Sequence, residues 1–399
     1  MITSMFKRTK LACYTAYFTM SSIFCLPPLL FVTFHETYHV SWTLLGTLVL
    51  TNFCTQFIVD LIFTVYTKHF NIPKVVKIMP LLTSLGLAIY AIVPMIWEDY
   101  AYWGLLLGTV IFSISAGLSE VLLSPMIAAI PSDNPQKDMS TLHSLYAFGV
   151  FSVVVIGTLY LKWIGEAYWM YLTLFFAALP IISSVLFMLS PMPDMSSGNT
   201  VAATRKSRRR TVGIALCAVC IFLGSCAENA MSNWISGFME AQLQIDKAFG
   251  DIFGVAMFAI LLGITRISYA KWGKNICKML FWSMLCAAIC YLIVGLSSHV
   301  VPSFIACILT GVFTSMLWPG TLIMMEEKIP GVGVASFALM AAGGDLGASV
   351  APQLMGMIAD YSDLQTGMLV CSIFPILGVI LMLVITRYFK SNQRIETEI

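Results

Sequence analysis

Three carboxyl side chains, Glu120, Glu228 and Asp345, stand near the middle of long apolar runs. An ionised group at the centre of a bilayer costs roughly 2.5–3.5 kcal/mol on insertion scales, so such acids are rare and usually face a cavity or a partner. No Lys or Arg is expected at comparable depth to neutralise them. A carboxyl in that setting can take a proton on one side of a membrane and release it on the other, with protonation favouring one global conformation. The competing reading at each position is an acid held neutral by hydrogen bonds inside a helix bundle.

Other polar residues gather around these acids. Asn229, Ser232, Asn233 and Trp234 follow Glu228, with Asn229 and Asn233 one helical turn apart. Amides, a hydroxyl and an indole supply donors, acceptors and a flat apolar face, which is what a hydroxylated ring needs. Asn52 and Gln56 form a second amide pair at the same spacing. Hydrogen bonding between helices is the alternative for both clusters, since amides and hydroxyls serve as glue in lipid. His143 and Tyr146 lie in another apolar run; the histidine could sense pH or simply pack, and the tyrosine points more nearly at a cavity. Trp318 precedes Pro319 and could cap a site or pack at a proline kink. Asp345 follows Gly343 and Gly344, where a gating or structural role is open. Pro27 and Pro28 interrupt backbone bonding in the first run, as a hinge or a fixed kink.

The elements that position these residues are apolar stretches long enough to cross a bilayer core of about 30 Å at 1.5 Å per residue. Twelve occur, near 11–33, 42–65, 76–96, 104–129, 140–162, 168–190, 212–236, 250–269, 279–297, 301–325, 334–358 and 366–388. Hydrophobic residues make up 59% of the 399-residue chain and charged ones 11%, against about 25% charged in soluble domains. Of the 22 Lys and Arg, 20 fall in alternate gaps or at the stretch ends beside them, Arg266 being counted with the gap after the eighth stretch; only Lys162 and Lys247 lie in the other set. Basic loops stay in the cytoplasm, so both termini are expected inside. Apolar runs of this length suit helices rather than barrel strands.

The longest polar gap divides the chain into a six-helix bundle at 1–190, a cytoplasmic linker at 191–211 and a second six-helix bundle at 212–399. The halves repeat. Gly117 and Pro125 in stretch four match Gly311 and Pro319 in stretch ten, with Gly149 and Gly343 a further 24 residues on. Tyr66 with Lys68 after stretch two matches Tyr269 with Lys271 after stretch eight. Such duplication suits carriers that rock one half against the other.

Several classes of chemistry find no support. There is no phosphate-cradling glycine loop, no HExxH and no nucleophile elbow, so no catalytic residue and no cofactor is assigned. Ten of the eleven cysteines lie within apolar stretches; Cys217 and Cys220 have CxxC spacing without a second pair, so they read as packing residues and no metal is assigned. The basic run from Arg205 to Arg210 reads as contact with an anionic inner leaflet rather than nucleic acid.

The repeat, the six-plus-six division and the basic central loop resemble the major facilitator superfamily. Within it the chain is most similar to the fucose permease-like branch of sugar:proton symporters. The residues that carry this are Ala116, Gly117, Leu118 and Glu120 before Pro125; the run from Leu142 to Gly149; Trp318 with Pro319; and Gly343, Gly344, Pro352, Gly356 and Asp360. The chain departs from that branch in having no acid in stretch one and Ser124 before Pro125. The resemblance implies an all-α membrane protein with two pseudo-symmetric six-helix bundles. It also implies alternating access, a small polar solute such as a sugar, and a proton site at Glu120; the depth of Glu228 in its stretch, not the resemblance, makes it the second candidate. The partners expected are that solute, protons and the lipid bilayer of a plasma or bacterial inner membrane, with a monomer sufficient. Proton-coupled export of drugs or metabolites, and nutrient sensing without transport, remain open.

Overall fold

The computed structural model describes residues 6–66, 69–131, 135–193, 208–272, 275–329 and 334–397, and their regular structure is entirely helical. In chain order the α-helices are α1 (Lys7–Leu29), α2 (Phe31–Tyr38), α3 (Trp42–Tyr66), α4 (Ile72–Ile96), α5 (Ala101–Ala129), α6 (Pro135–Ile164), α7 (Trp169–Met188) and α8 (Arg208–Gly237). They continue as α9 (Lys247–Gly250), α10 (Met257–Trp272), α11 (Ile276–Leu296), α12 (Val300–Thr314), α13 (Leu317–Lys328), α14 (Val334–Tyr361), α15 (Leu364–Cys371) and α16 (Ile373–Thr397). Two π-helical stretches, Phe238–Gln242 and Asp251–Ala256, flank the loop before α9 and the turn into α10.

Ten helical segments among the described residues are long and apolar enough to cross a membrane, and the bent pair α1–α2 makes an eleventh. The twelfth expected stretch is α14. At 28 residues it has ample length to cross a membrane.

Proline accounts for two breaks. Pro27 and Pro28 are buried near the end of α1 and have no N–H for the carbonyls four residues earlier. The ladder tightens at Leu30, whose N–H bonds Pro27 O at 3.0 Å, and the axis bends by 47° into α2. Pro319 likewise cannot bond the carbonyl of Ser315, and stretch ten divides at Ser315–Met316 into α12 and α13.

The chain divides into two compact units, residues 1–200 with 245–256, and residues 201–244 with 257–399. Residues 245–256, placed by hydropathy in the second half, therefore cluster with the first unit, where they lie on α6. Within the first unit the main pairings are α4–α5, α4–α7, α1–α6, α3–α5 and α1–α7. Within the second they are α11–α12, α11–α16, α8–α14, α10–α12 and α8–α16. Numbered by stretch, each second-unit pair is its first-unit counterpart advanced by six. The duplication read from glycines and prolines thus extends to the packing.

Small residues set how closely the helices approach, because lipid supplies no hydrophobic drive between them. Gly86 of α4 and Gly108 of α5 face each other so tightly that a Cβ on Gly86 would lie 2.8 Å from Gly108 O, and one on Gly108 2.6 Å from Gly86 O.

Candidate functional site

In the first unit, Glu120 projects from α5 and is half-buried. It forms no ion pair among the described residues. Ser119 beside it is buried and donates to Ser115 O at 2.8 Å, turning its hydroxyl into its own helix. One turn earlier, Gly117 lets α3 come close, a Cβ there reaching within 3.2 Å of Gln56 Cα.

Asn52 and Gln56 do not line an open surface. Gln56 is 1% exposed and Asn52 6%. Asn52 Oδ1 accepts from Gln56 Nε2 at 3.0 Å and from Ser113 Oγ at 2.6 Å, tying α3 to α5. Their geometry is that of interhelical glue, the second of the two readings the sequence offers.

Tyr146 of α6 is half-buried and meets Tyr17 and Phe24 edge to face, with ring centroids 6.4 and 5.7 Å apart. His143 lies on α6, its side chain outside the described residues. An apolar cavity of about 650 Å³ lies between α6 and the 245–253 stretch, lined by Leu159, Trp163, Phe249 and Phe253. None of the expected site residues borders it. The Lys162–Asp246 ion pair at its rim, 3.4 Å long, is exposed. Asp246 caps α9, and the Phe249 N–H holds its carboxyl below the usual range, with Lys162 adding to the effect. Asp251, not singled out by sequence, is 1% exposed and accepts from Thr158 Oγ1 at 3.2 Å.

In the second unit the expectation of uncompensated acids fails at Glu228. Arg266 Nη2 lies 3.3 Å from Glu228 Oε1 and 3.5 Å from Oε2. Arg266 belongs to α10, which continues to Trp272, so it is a helix residue rather than a loop residue. Its Nε donates to Ser315 O at 2.8 Å. That carbonyl is the one Pro319 leaves without its helical donor, so the break in stretch ten creates the acceptor that orients the guanidinium.

Trp234 also departs from expectation. It is 0% exposed, and its Nε1 donates to Pro352 O at 3.1 Å, joining α8 to α14. A fully enclosed indole offers no face to a solute. Asn229 and Asn233 direct their Nδ2 groups to the carbonyls of Ser225 and Asn229, at 3.1 and 2.9 Å. Because a backbone carbonyl only accepts, the amide oxygen of each must point the other way.

Asp345 is 3% exposed on α14, where Ser349 Oγ donates to its backbone carbonyl at 2.5 Å. Trp318 is half-buried and brings the outer edge of its indole against Gly344, so a Cβ there would overlap the ring. It therefore sits at a close approach of α13 to α14. The sequence signals for this centre were Pro319 and the apolar residues Ile264 and Ile267 around Arg266, which mark its helix as continuing.

No family model matches the chain, and no curated relative matches it by sequence. Solved structures do. A D-xylose-proton symporter superposes with a TM-score of 0.80 at 14% identity, covering 96% of this chain and 98% of its own. A bacterial homologue of the human lysosomal transporter Spinster, inward-facing and occupied, gives 0.75 at 11% identity over 96% and 97%. The E. coli fucose:proton symporter gives 0.63 at 14% identity over 96% and 99%. Over nearly its whole length, then, the chain is built on the fold of the major facilitator transporters.

Proposed function

We propose that the protein is a secondary carrier that moves a small hydroxylated solute of the sugar class across a membrane by alternating access, coupled to protons. The observation that carries this reading is Glu120, a carboxyl two-thirds of the way along an apolar membrane-length helix and without an ion pair among the described residues. Two of the similar structures are, by name, sugar:proton symporters, which supports the same chemistry here. Glu120 takes a proton when the solute is bound and gives it up on the other side. The carrier works as a monomer in a plasma or bacterial inner membrane, with both termini in the cytoplasm and lipid as its only other partner.

Glu228 is not a second proton site in this scheme, because Arg266 occupies its carboxylate. Asn229, half-buried, contributes an acceptor to the solute, Asn233 is as enclosed as Asn52, and Trp318 closes the approach of α13 to α14 at Gly344, next to Asp345 in the chain.

In proteoliposomes with one pH unit imposed, one-for-one coupling accumulates solute about tenfold, since 1.4 kcal/mol is a tenfold ratio. Glu120→Gln is expected to bring accumulation to equilibration while solute exchange continues. Unchanged accumulation in that variant removes Glu120 from the mechanism.

A further inference from the structure

The Arg266 guanidinium is only partly committed. Nε is spent on Ser315 O and Nη2 on Glu228, while Nη1 makes no hydrogen bond among the described residues. Arginine cannot shed its charge, and its planar fork suits two oxygens of one anion. Of its side chain 36% stays accessible, against 19% for Glu228. That exposure lies off the most exposed face of α10. Ile264 and Ile267, each about half exposed, mark the outward side of α10. At 100° per residue Arg266 lies about 200° round from Ile264 and 100° from Ile267, on the side facing α8 and the break between α12 and α13.

The neighbouring amides present the opposite polarity. With both Nδ2 groups turned into α8, the Oδ1 atoms of Asn229 and Asn233 make no hydrogen bond among the described residues. They follow Glu228 by one and five residues, a rise of about 1.5 and 7.5 Å. Asn229 is half-buried whereas Asn233 is 7% exposed, so the second unit offers at Asn229 an accessible acceptor suited to a hydroxyl and at Arg266 a cationic donor suited to an oxyanion. A neutral polyol would use the acceptor and leave the guanidinium idle.

We infer that Arg266 is the anchor for a carboxylate on the solute, a hydroxyl of which meets Asn229, so that the cargo is a sugar acid and Glu228 is the competing counter-ion that holds Arg266 between cargoes. This rests on the proposed reading of the amide cluster as part of the solute site. A single arginine matches a single carboxylate. In the empty state Glu228 keeps the guanidinium neutralised, and the arriving carboxylate takes the Nη1 edge and shares or displaces Glu228 at Nη2. Ser315 O keeps the guanidinium in place throughout.

The test uses the purified full-length protein and four probes: D-galacturonate, D-gluconate, propionate and D-galactose. Binding is read by calorimetry and by thermal stabilisation. Galacturonate or gluconate is expected to bind at least tenfold more tightly than galactose, and Arg266→Gln is expected to abolish that preference. Glu228→Gln, which removes the competitor and leaves Arg266, should bind the same sugar acid more tightly than the native protein does. That gain is not what loss of a merely structural ion pair would produce. If Arg266→Gln fails to fold, Glu228→Gln decides alone: unchanged or weaker binding overturns the inference. Galactose binding as tightly as either sugar acid overturns it and keeps the sugar reading. Propionate binding as tightly as the sugar acids keeps Arg266 as a carboxylate anchor and overturns the sugar part. Failure of all three carboxylates to bind overturns the anchor itself.

Discussion

An aromatic ring beside two asparagines reads in sequence as a recognition surface, yet Trp234 has no accessible area and its N–H is used on Pro352 O. Its contribution is to hold α8 on α14. Trp234→Ala should therefore cost about 3–5 kcal/mol of stability through the cavity it leaves, seen as a large fall in the thermal midpoint. Asn229→Ala, at a half-buried position, should leave the midpoint nearly unchanged and weaken solute affinity. Equal stability in the two variants would contradict the assignment of Trp234 to the core. The residue level is where sequence reasoning did least well, and the reason is physical. Spacing says which side chains share a helix face but not which neighbour already occupies that face. Asn52 and Gln56 share a face as expected, and Ser113 fills the space before it. Arg266 was grouped with loop cations because charge so often ends a span, whereas its helix runs six residues further.

At the scale of elements, hydropathy and proline were informative. Each apolar stretch contains a helix, and those near 11–33, 301–325 and 366–388 are each divided in two. Pro27 and Pro28 announced a break whose 47° bend falls at Leu30, after the last missing donor has been passed. The assignment of 245–256 to the first unit was not legible, since hydropathy reports burial in lipid and not which bundle supplies it. Pro319 gives the sharpest element-level prediction. Pro319→Ala restores an N–H able to bond Ser315 O, in competition with Arg266 Nε. A hydrogen bond to a charged group is worth roughly 1.5–3 kcal/mol, so the sugar-acid preference should fall about tenfold as the guanidinium loses one of its two holds. A preference that survives would detach the Ser315 carbonyl from the site.

For the whole molecule, the repeated set of five pairings means that each unit reproduces one packing plan with different side chains. Glu120 occupies the place in its stretch that Thr314 holds in the other, three residues after the matching glycine. One plan thus carries an ionisable group in the first unit and a hydroxyl, with the Arg266–Glu228 pair nearby, in the second. The alternation of basic gaps makes a prediction at this scale that is independent of any solute. A fluorescent protein that matures only in the cytoplasm should be bright when fused to either end, and alkaline phosphatase, active only outside, should be silent at both. The reverse pattern would invert the orientation assigned from charge.

The Arg266–Glu228 pair also has a direction in time. Glu228 precedes Arg266 by 38 residues and Ser315 follows it by 49, so a ribosome delivers the acid first, the base second and the carbonyl last. A carboxyl waiting in a nascent hairpin can discharge itself by picking up a proton, whereas a guanidinium has no neutral form to fall back on. The order of synthesis places the group that can wait ahead of the one that cannot, and the arginine enters the bilayer with its counter-charge already there.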